Sequence, residues 1–107
     1  MATPGWRDFD ETNAGNTAAA SHAAETGVLH KVTHISGYTN SDSDITIRDG
    51  DKTATILWEV KIDVSLNGNS FAINIPNGVA GTSGNAITGY VATGTDARCN
   101  ISGESLP

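Results

Sequence analysis

The run Thr53-Ala54-Thr55-Ile56-Leu57-Trp58-Glu59-Val60-Lys61-Ile62-Asp63-Val64 sets one parity, Ile56, Trp58, Val60, Ile62 and Val64, against another that reads Glu59, Lys61 and Asp63 after Leu57. Successive side chains of a strand point to opposite faces, so this run predicts a long strand with one dry face and one charged face. A strand of that kind belongs to an antiparallel sheet packed inward on one side.

Further strand signals follow from Val28 onward. Val28 to Tyr38 reads as a strand with apolar residues on both parities, Val28 and Val32 against Leu29 and Ile35, which implies cover on both faces. Asp44 to Arg48 alternates with Ile45 and Ile47 inward, and Asp49-Gly50 is a tight-turn signal back into the long strand. Leu66-Asn67-Gly68-Asn69 predicts a second hairpin turn. Ser70 to Ile75 is the next strand, with Phe71, Ile73 and Ile75 inward, and Pro76 ends its ladder for want of an amide hydrogen. A Gly-rich loop, Asn77 to Asn85, precedes a strand from Ala86 to Thr93, where Gly89 marks a bend or a close backbone approach. Ala97 to Ser102 is the last strand, with Ala97, Cys99 and Ile101 on one face, and Gly103 to Pro107 reads as a tail. Turn signals about ten residues apart predict an all-β fold, an antiparallel sandwich or jelly roll of about 6–8 strands.

Residues 1–26 differ. Trp6 and Phe9 are their only large apolar side chains, so the segment cannot bury enough surface to fold alone and reads as an extended N-terminal arm on a β-sandwich domain spanning 27–107. Thr17 to Glu25 is Ala-rich and suits either a short helix or a first edge strand. Trp6 and Phe9 are the candidate anchors of the arm in a partner's groove, because aromatic side chains dominate binding hot spots.

Charge and cysteine content narrow the function. The formal net charge of −6 argues against nucleic acid and anionic membrane surfaces as partners. Apolar residues (Gly not counted) make up 37% of the chain and are concentrated after Val28, and so modest a core is commonly reinforced by oligomerisation. The single cysteine, Cys99, excludes an intrachain disulfide. The opening Met-Ala-Thr-Pro-Gly has no basic segment followed by an apolar run, so no secretory leader is expected.

Catalytic and metal chemistry is hard to find. Asp42, Asp44, Asp49 and Asp51 form the best calcium candidate, but they lack the loop of an EF-hand, and Asp is favoured in solvated turns for its local hydrogen bonds. His30 and His34 share a strand parity with His22 ahead of them, yet strand positions four apart lie roughly 13 Å from each other and cannot hold one ion. Cys99 alternates with Ala97 and Ile101 and reads as a core residue, not a nucleophile. The stretch Gly78 to Gly84 lacks the Lys-Ser/Thr ending of a phosphate loop. Trp58 is placed in the core, and Tyr38 and Tyr90 are the candidates for a sugar platform. No enzyme, metal or cofactor is expected.

The pattern Val32-Thr33-His34-Ile35-Ser36-Gly37-Tyr38, then Asp44-Ile45-Thr46-Ile47-Arg48-Asp49-Gly50, then Ile56-Leu57-Trp58-Glu59-Val60, then the Gly-rich loop before Ala86-Ile87 resembles the small capsid decoration, or cement, proteins of tailed bacteriophages. The resemblance covers about Val28 to Ile101. It implies a jelly-roll core with an extended arm, a homotrimer on the capsid surface of the virion, and the major capsid protein as partner. It also implies synthesis in the host bacterial cytoplasm. A clip of this kind stabilises an expanded shell by mass action. The expected function is therefore a non-enzymatic capsid decoration protein. The alternative is a phage tail or fibre domain, or another carbohydrate- or receptor-binding β-sandwich.

Overall fold

The computed structural model describes residues 3–12, 18–92 and 97–106; within these, the side chains of 3, 4, 8–12 and 67 lie outside the description. The described elements are β1 (Thr3–Thr12), β2 (Ala18–His22), β3 (Leu29–Thr39), β4 (Ser43–Arg48), β5 (Ile56–Ile62), a single-turn helix α1 (Val64–Asn67), β6 (Ser70–Ala80), β7 (Ile87–Val91) and β8 (Ala97–Leu106). They form two four-stranded antiparallel sheets, in the order β1-β8-β3-β6 and β2-β7-β4-β5.

This order has a simple origin. β1 pairs with β8, β2 with β7, β3 with β6 and β4 with β5, as in one long hairpin rolled up so that its halves alternate between two sheets. That is the jelly roll, which the turn spacing predicted. The sheets close over a core in which Val32, Ile35, Ile45, Ile47, Ile87 and Val91 are fully buried. The segment expected as an arm supplies β1 and β2, an edge strand of each sheet. Ala18 and Ala20 of β2 are 1% exposed, too small to raise the apolar signal but small enough to let the sheets approach.

A bulge resolves the two-parity pattern of β3. Val32 pairs with Gly103 and His34 with Ser102, so Thr33 is an extra residue. An inserted residue reverses which parity points inward. His30 and Val32 are buried before it, Ile35 and Thr39 after it. Cover on both faces is not needed.

Two expected turns and one expected strand end differ. Residues 49–55 form a broad loop in place of a two-residue turn, closed by Asp49 N–H donating to the Thr55 carbonyl (2.9 Å) and Ala54 N–H to the Asp51 carbonyl (3.1 Å). The long strand therefore starts at Ile56, which is 46% exposed where an inward position was expected. Residues 66–69 do not close a hairpin. β5 and β6 lie in different sheets, and α1 carries the chain across, capped by Asp63, whose carboxylate accepts from Ser65 N–H at 3.0 Å. Finally, Pro76 does not end β6. Asn74 pairs with His34 and Val79 with Val32, so residues 75–78 bow outward between them. Because β6 is an edge strand, a residue without an amide hydrogen costs no ladder bond there.

β8 also runs past its expected end at Ser102, to Leu106. Its buried parity continues as Gly103 and Ser105, residues without the apolar mark that identified Ala97, Cys99 and Ile101.

Candidate functional site

Trp6 of β1, His22 at the end of β2, His30 of β3 and Ser105 of β8 meet where the two sheets come together. The Trp6 indole lies flat on the His22 ring, with centroids 4.0 Å apart and planes 6° apart. His30 stands edge-on to His22 at 4.5 Å. Trp6 Nε1–H donates to Ser105 Oγ at 3.0 Å. His30 is 1% exposed. Its Nε2 lies 2.8 Å from the Ala23 carbonyl, which only accepts, so the proton sits on Nε2. Nδ1 is then the acceptor for the Ser105 hydroxyl at 2.6 Å. This arrangement satisfies both ring nitrogens. Trp6, the expected anchor, is thus half-buried and engaged within its own chain. Phe9 lies opposite Asn100 in the β1–β8 register, and its side chain is outside the described residues.

His22, Glu25 and His30 place one ligand atom each within 4.8 Å of one another. A cation there would have to break a hydrogen bond of His30, whose nitrogens are both engaged. The cluster therefore serves as packing that ties β1, β2, β3 and β8 together. His34 is separated from it by the bulge: His30 points into the core and His34 lies on the outer face, so the shared parity expected of the two is absent.

The four aspartates do not assemble. Asp49 Oδ1 accepts from Thr82 N–H (2.8 Å) and Oδ2 from the Thr82 hydroxyl (2.5 Å), and these bonds hold its carboxyl below the ordinary range. Asp51 is lowered by its bond from the Thr53 hydroxyl, and Asp63 by that from Ser65. Asp42 accepts from Val64 N–H at 3.0 Å, and Asp44 faces Lys61 at 3.7 Å. Asp42, Asp44 and Asp63 do line a groove of about 350 Å³ with Ser43, Lys61 and Ile62. Each of these carboxylates already has a partner in the chain. Cys99 is fully buried in the core, as its alternation predicted.

A second groove, of about 340 Å³, crosses the outer face of the β1-β8-β3-β6 sheet and is lined by Arg7, His34, Ser36, Asn100, Ile101 and Ser102. Antiparallel register builds it in rows. Arg7, Ser102, His34 and Asn74 form one row across four strands. Asn100 and Ser36 lie opposite each other in the next. His34 Nδ1 lies 2.7 Å from Asn74 Oδ1, an acceptor, which places the proton on Nδ1 and leaves Nε2 as an acceptor. Tyr38 shares the face of His34 and Ser36, two and four residues on, and its hydroxyl accepts from Asn69 Nδ2 at 3.3 Å. Tyr90 sits on the other sheet, beneath the Arg48 guanidinium at 5.7 Å. The two tyrosines therefore cannot form one platform. Sequence reasoning passed over Arg7, Asn100 and Ser102. The signal for Asn100 and Ser102 is the polar parity of β8, Arg98-Asn100-Ser102-Glu104, which has the pattern of any solvated face; Arg7, on β1, carries none.

No family model and no curated protein matches the chain. Among solved structures it is similar to a family 6 carbohydrate-binding module studied for its binding sub-sites, at 15% identity over 91% of this chain and 79% of that one, with a TM-score of 0.44. It is also similar to CsCBM6-3 from Clostridium stercorarium in complex with cellobiose, at 11% identity over 95% and 84% of the two chains, TM-score 0.43. These likenesses concern the sandwich architecture alone.

Proposed function

We propose that this protein is a non-catalytic binding module whose ligand is a saccharide, held in the groove of Arg7, His34, Ser36, Asn100 and Ser102. The supporting observation is that groove. Sugar hydroxyls donate and accept together, and so do the Asn100 amide and the two serine hydroxyls. Arg7 adds donors, and His34 adds an acceptor whose orientation Asn74 fixes. Tyr38 lies on the same face, two residues beyond Ser36 and outside the lining. Glycoside hydrolysis generally uses two carboxyl groups flanking the bond, and the described lining carries none, which supports a groove that holds and does not cut. Titration calorimetry against a panel of oligosaccharides is the test. Asn100→Ala with Ser102→Ala is expected to weaken binding at least about tenfold, the effect of losing two or more hydrogen bonds, with the melting temperature retained. Binding that ignores this double variant, or no binding at all, overturns the reading.

A second reading is a trimeric capsid decoration protein. It is favoured by Ile56 and Leu57, apolar residues 46% and 36% exposed at the start of the free edge strand β5, since such edges invite protein contact. Light scattering is expected to give a trimer that Ile56→Lys with Leu57→Lys converts to monomer. A monomeric parent chain that also fails to bind phage heads removes this reading.

A further inference from the structure

We infer that the groove is selective for an acidic saccharide, one bearing a carboxylate or a sulfate ester, with Arg7 as the residue that receives the anionic group. This rests on the saccharide reading above and adds the class of sugar. The motivating observation is a local reversal of charge. The chain carries twelve acidic and six basic residues, yet three of the six basic ones, Arg7, Lys31 and Arg98, lie on the outer face of this one sheet. The carboxylate described there is Glu104, and it is held by Lys31 at 2.9 Å. Glu11 is opposite Arg98 in register.

Arg7 is different. It is exposed, it lies opposite Ser102, and no carboxylate among the described residues pairs with it. An acidic protein whose guanidinium meets no carboxylate among the described residues, in a groove of amides and hydroxyls, presents a site for an anion and repels it elsewhere. The row geometry gives the anion its place. β8 lies between β1 and β3, so Arg7 and His34 flank Ser102, with backbones about 10 Å apart at the usual spacing of two strand intervals. A guanidinium binds a carboxylate or sulfate through two parallel N–H bonds. The Ser102 hydroxyl lies beneath, and His34 Nε2 accepts from a neighbouring sugar hydroxyl.

The test uses the full chain and three probes: a galacturonate oligosaccharide, its carboxyl-reduced galactose counterpart, and a sulfated galactose oligosaccharide. At least one acidic probe is expected to bind about tenfold or more tightly than the reduced one, the size of one charge-assisted hydrogen-bond pair. The acidic probe that binds better identifies the anion. Arg7→Gln is expected to abolish the preference, so that the variant binds the acidic probes no more tightly than the reduced one. Arg7→Lys, which keeps the charge but loses the fork, is expected to retain part of it, and that part should fall with added salt. If the reduced probe binds as tightly as both acidic ones, and Asn100→Ala still weakens it, the acidic preference is overturned while the groove reading stands. If no probe binds, or Asn100→Ala changes nothing, both fall together.

Discussion

His30 holds four strands through two hydrogen bonds and two ring contacts, and it does so with every polar atom of its ring paired. His30→Phe keeps the shape but leaves the Ala23 carbonyl without its donor and the Ser105 hydroxyl without its acceptor. That should cost about 2–3 kcal/mol, read as a lower denaturant midpoint with little change in slope. Asp49 makes a prediction about pH. Bonds from Thr82 hold its carboxyl lower in the folded chain than in the unfolded one. Its contribution is therefore complete above the ordinary carboxylate range and is lost as pH falls through the lowered folded value. Asp49→Asn should remove about 1 kcal/mol at neutral pH, a modest figure because the group is exposed, and should flatten the acid limb of a stability-against-pH curve. Gly89 carries the opposite kind of constraint. A methyl group there would stand 2.4 Å from Ile101 Cγ2 and 3.1 Å from Cys99 Sγ, so Gly89→Ala should destabilise by about 1–3 kcal/mol through overpacking.

Elements differ in how openly the sequence declares them. β4, the body of β5 and the first half of β8 alternate large apolar with polar residues, and each was legible. β1 was not, and β2 was legible only as one of two alternatives, a short helix or an edge strand, because it is buried through two alanines; the large apolar contact in the described part of β1 is the Trp6 indole. The second half of β8 was missed because glycine and serine occupy its inward positions. At Gly103 a Cβ would meet the Lys31 carbonyl oxygen at 1.9 Å, so the strand there requires a residue that hydropathy ignores. The bulge at Thr33 hid in plain alternation, since one inserted residue looks like apolar cover on both faces. The groove was illegible for a related reason. Its residues come from β1, β8 and β3, far apart in the chain, and each alone is an ordinary outward polar side chain. The bulge gives a test at this scale. Deleting Thr33 puts His30, Val32, Ile35 and Thr39 on one parity and leaves the β8 register intact, so the variant should keep a cooperative thermal transition; loss of that transition would show that the bulge itself is needed for the fold.

For the whole molecule, the rolled-hairpin pairing makes the N-terminal segment part of the sandwich. Removing residues 1–27 strips one edge from each sheet and the indole from its seat between them. A chain starting at Val28 should therefore show no cooperative urea transition by circular dichroism. A truncated chain that unfolds cooperatively at the parent's midpoint would return the segment to the status of an appendage.

The place of β8 carries a consequence for biogenesis. It is the last of the eight described strands to leave the ribosome, yet it lies inside its sheet, between β1 and β3. Until residue 106 is free of the exit tunnel, β1 has no neighbour in its own sheet and one side of β3 is bare. At about 5–20 residues per second the nascent chain spends roughly 5–20 seconds in that state. Folding of this jelly roll thus waits on the emergence of β8, and until then the cell must keep two open strand edges from finding other chains.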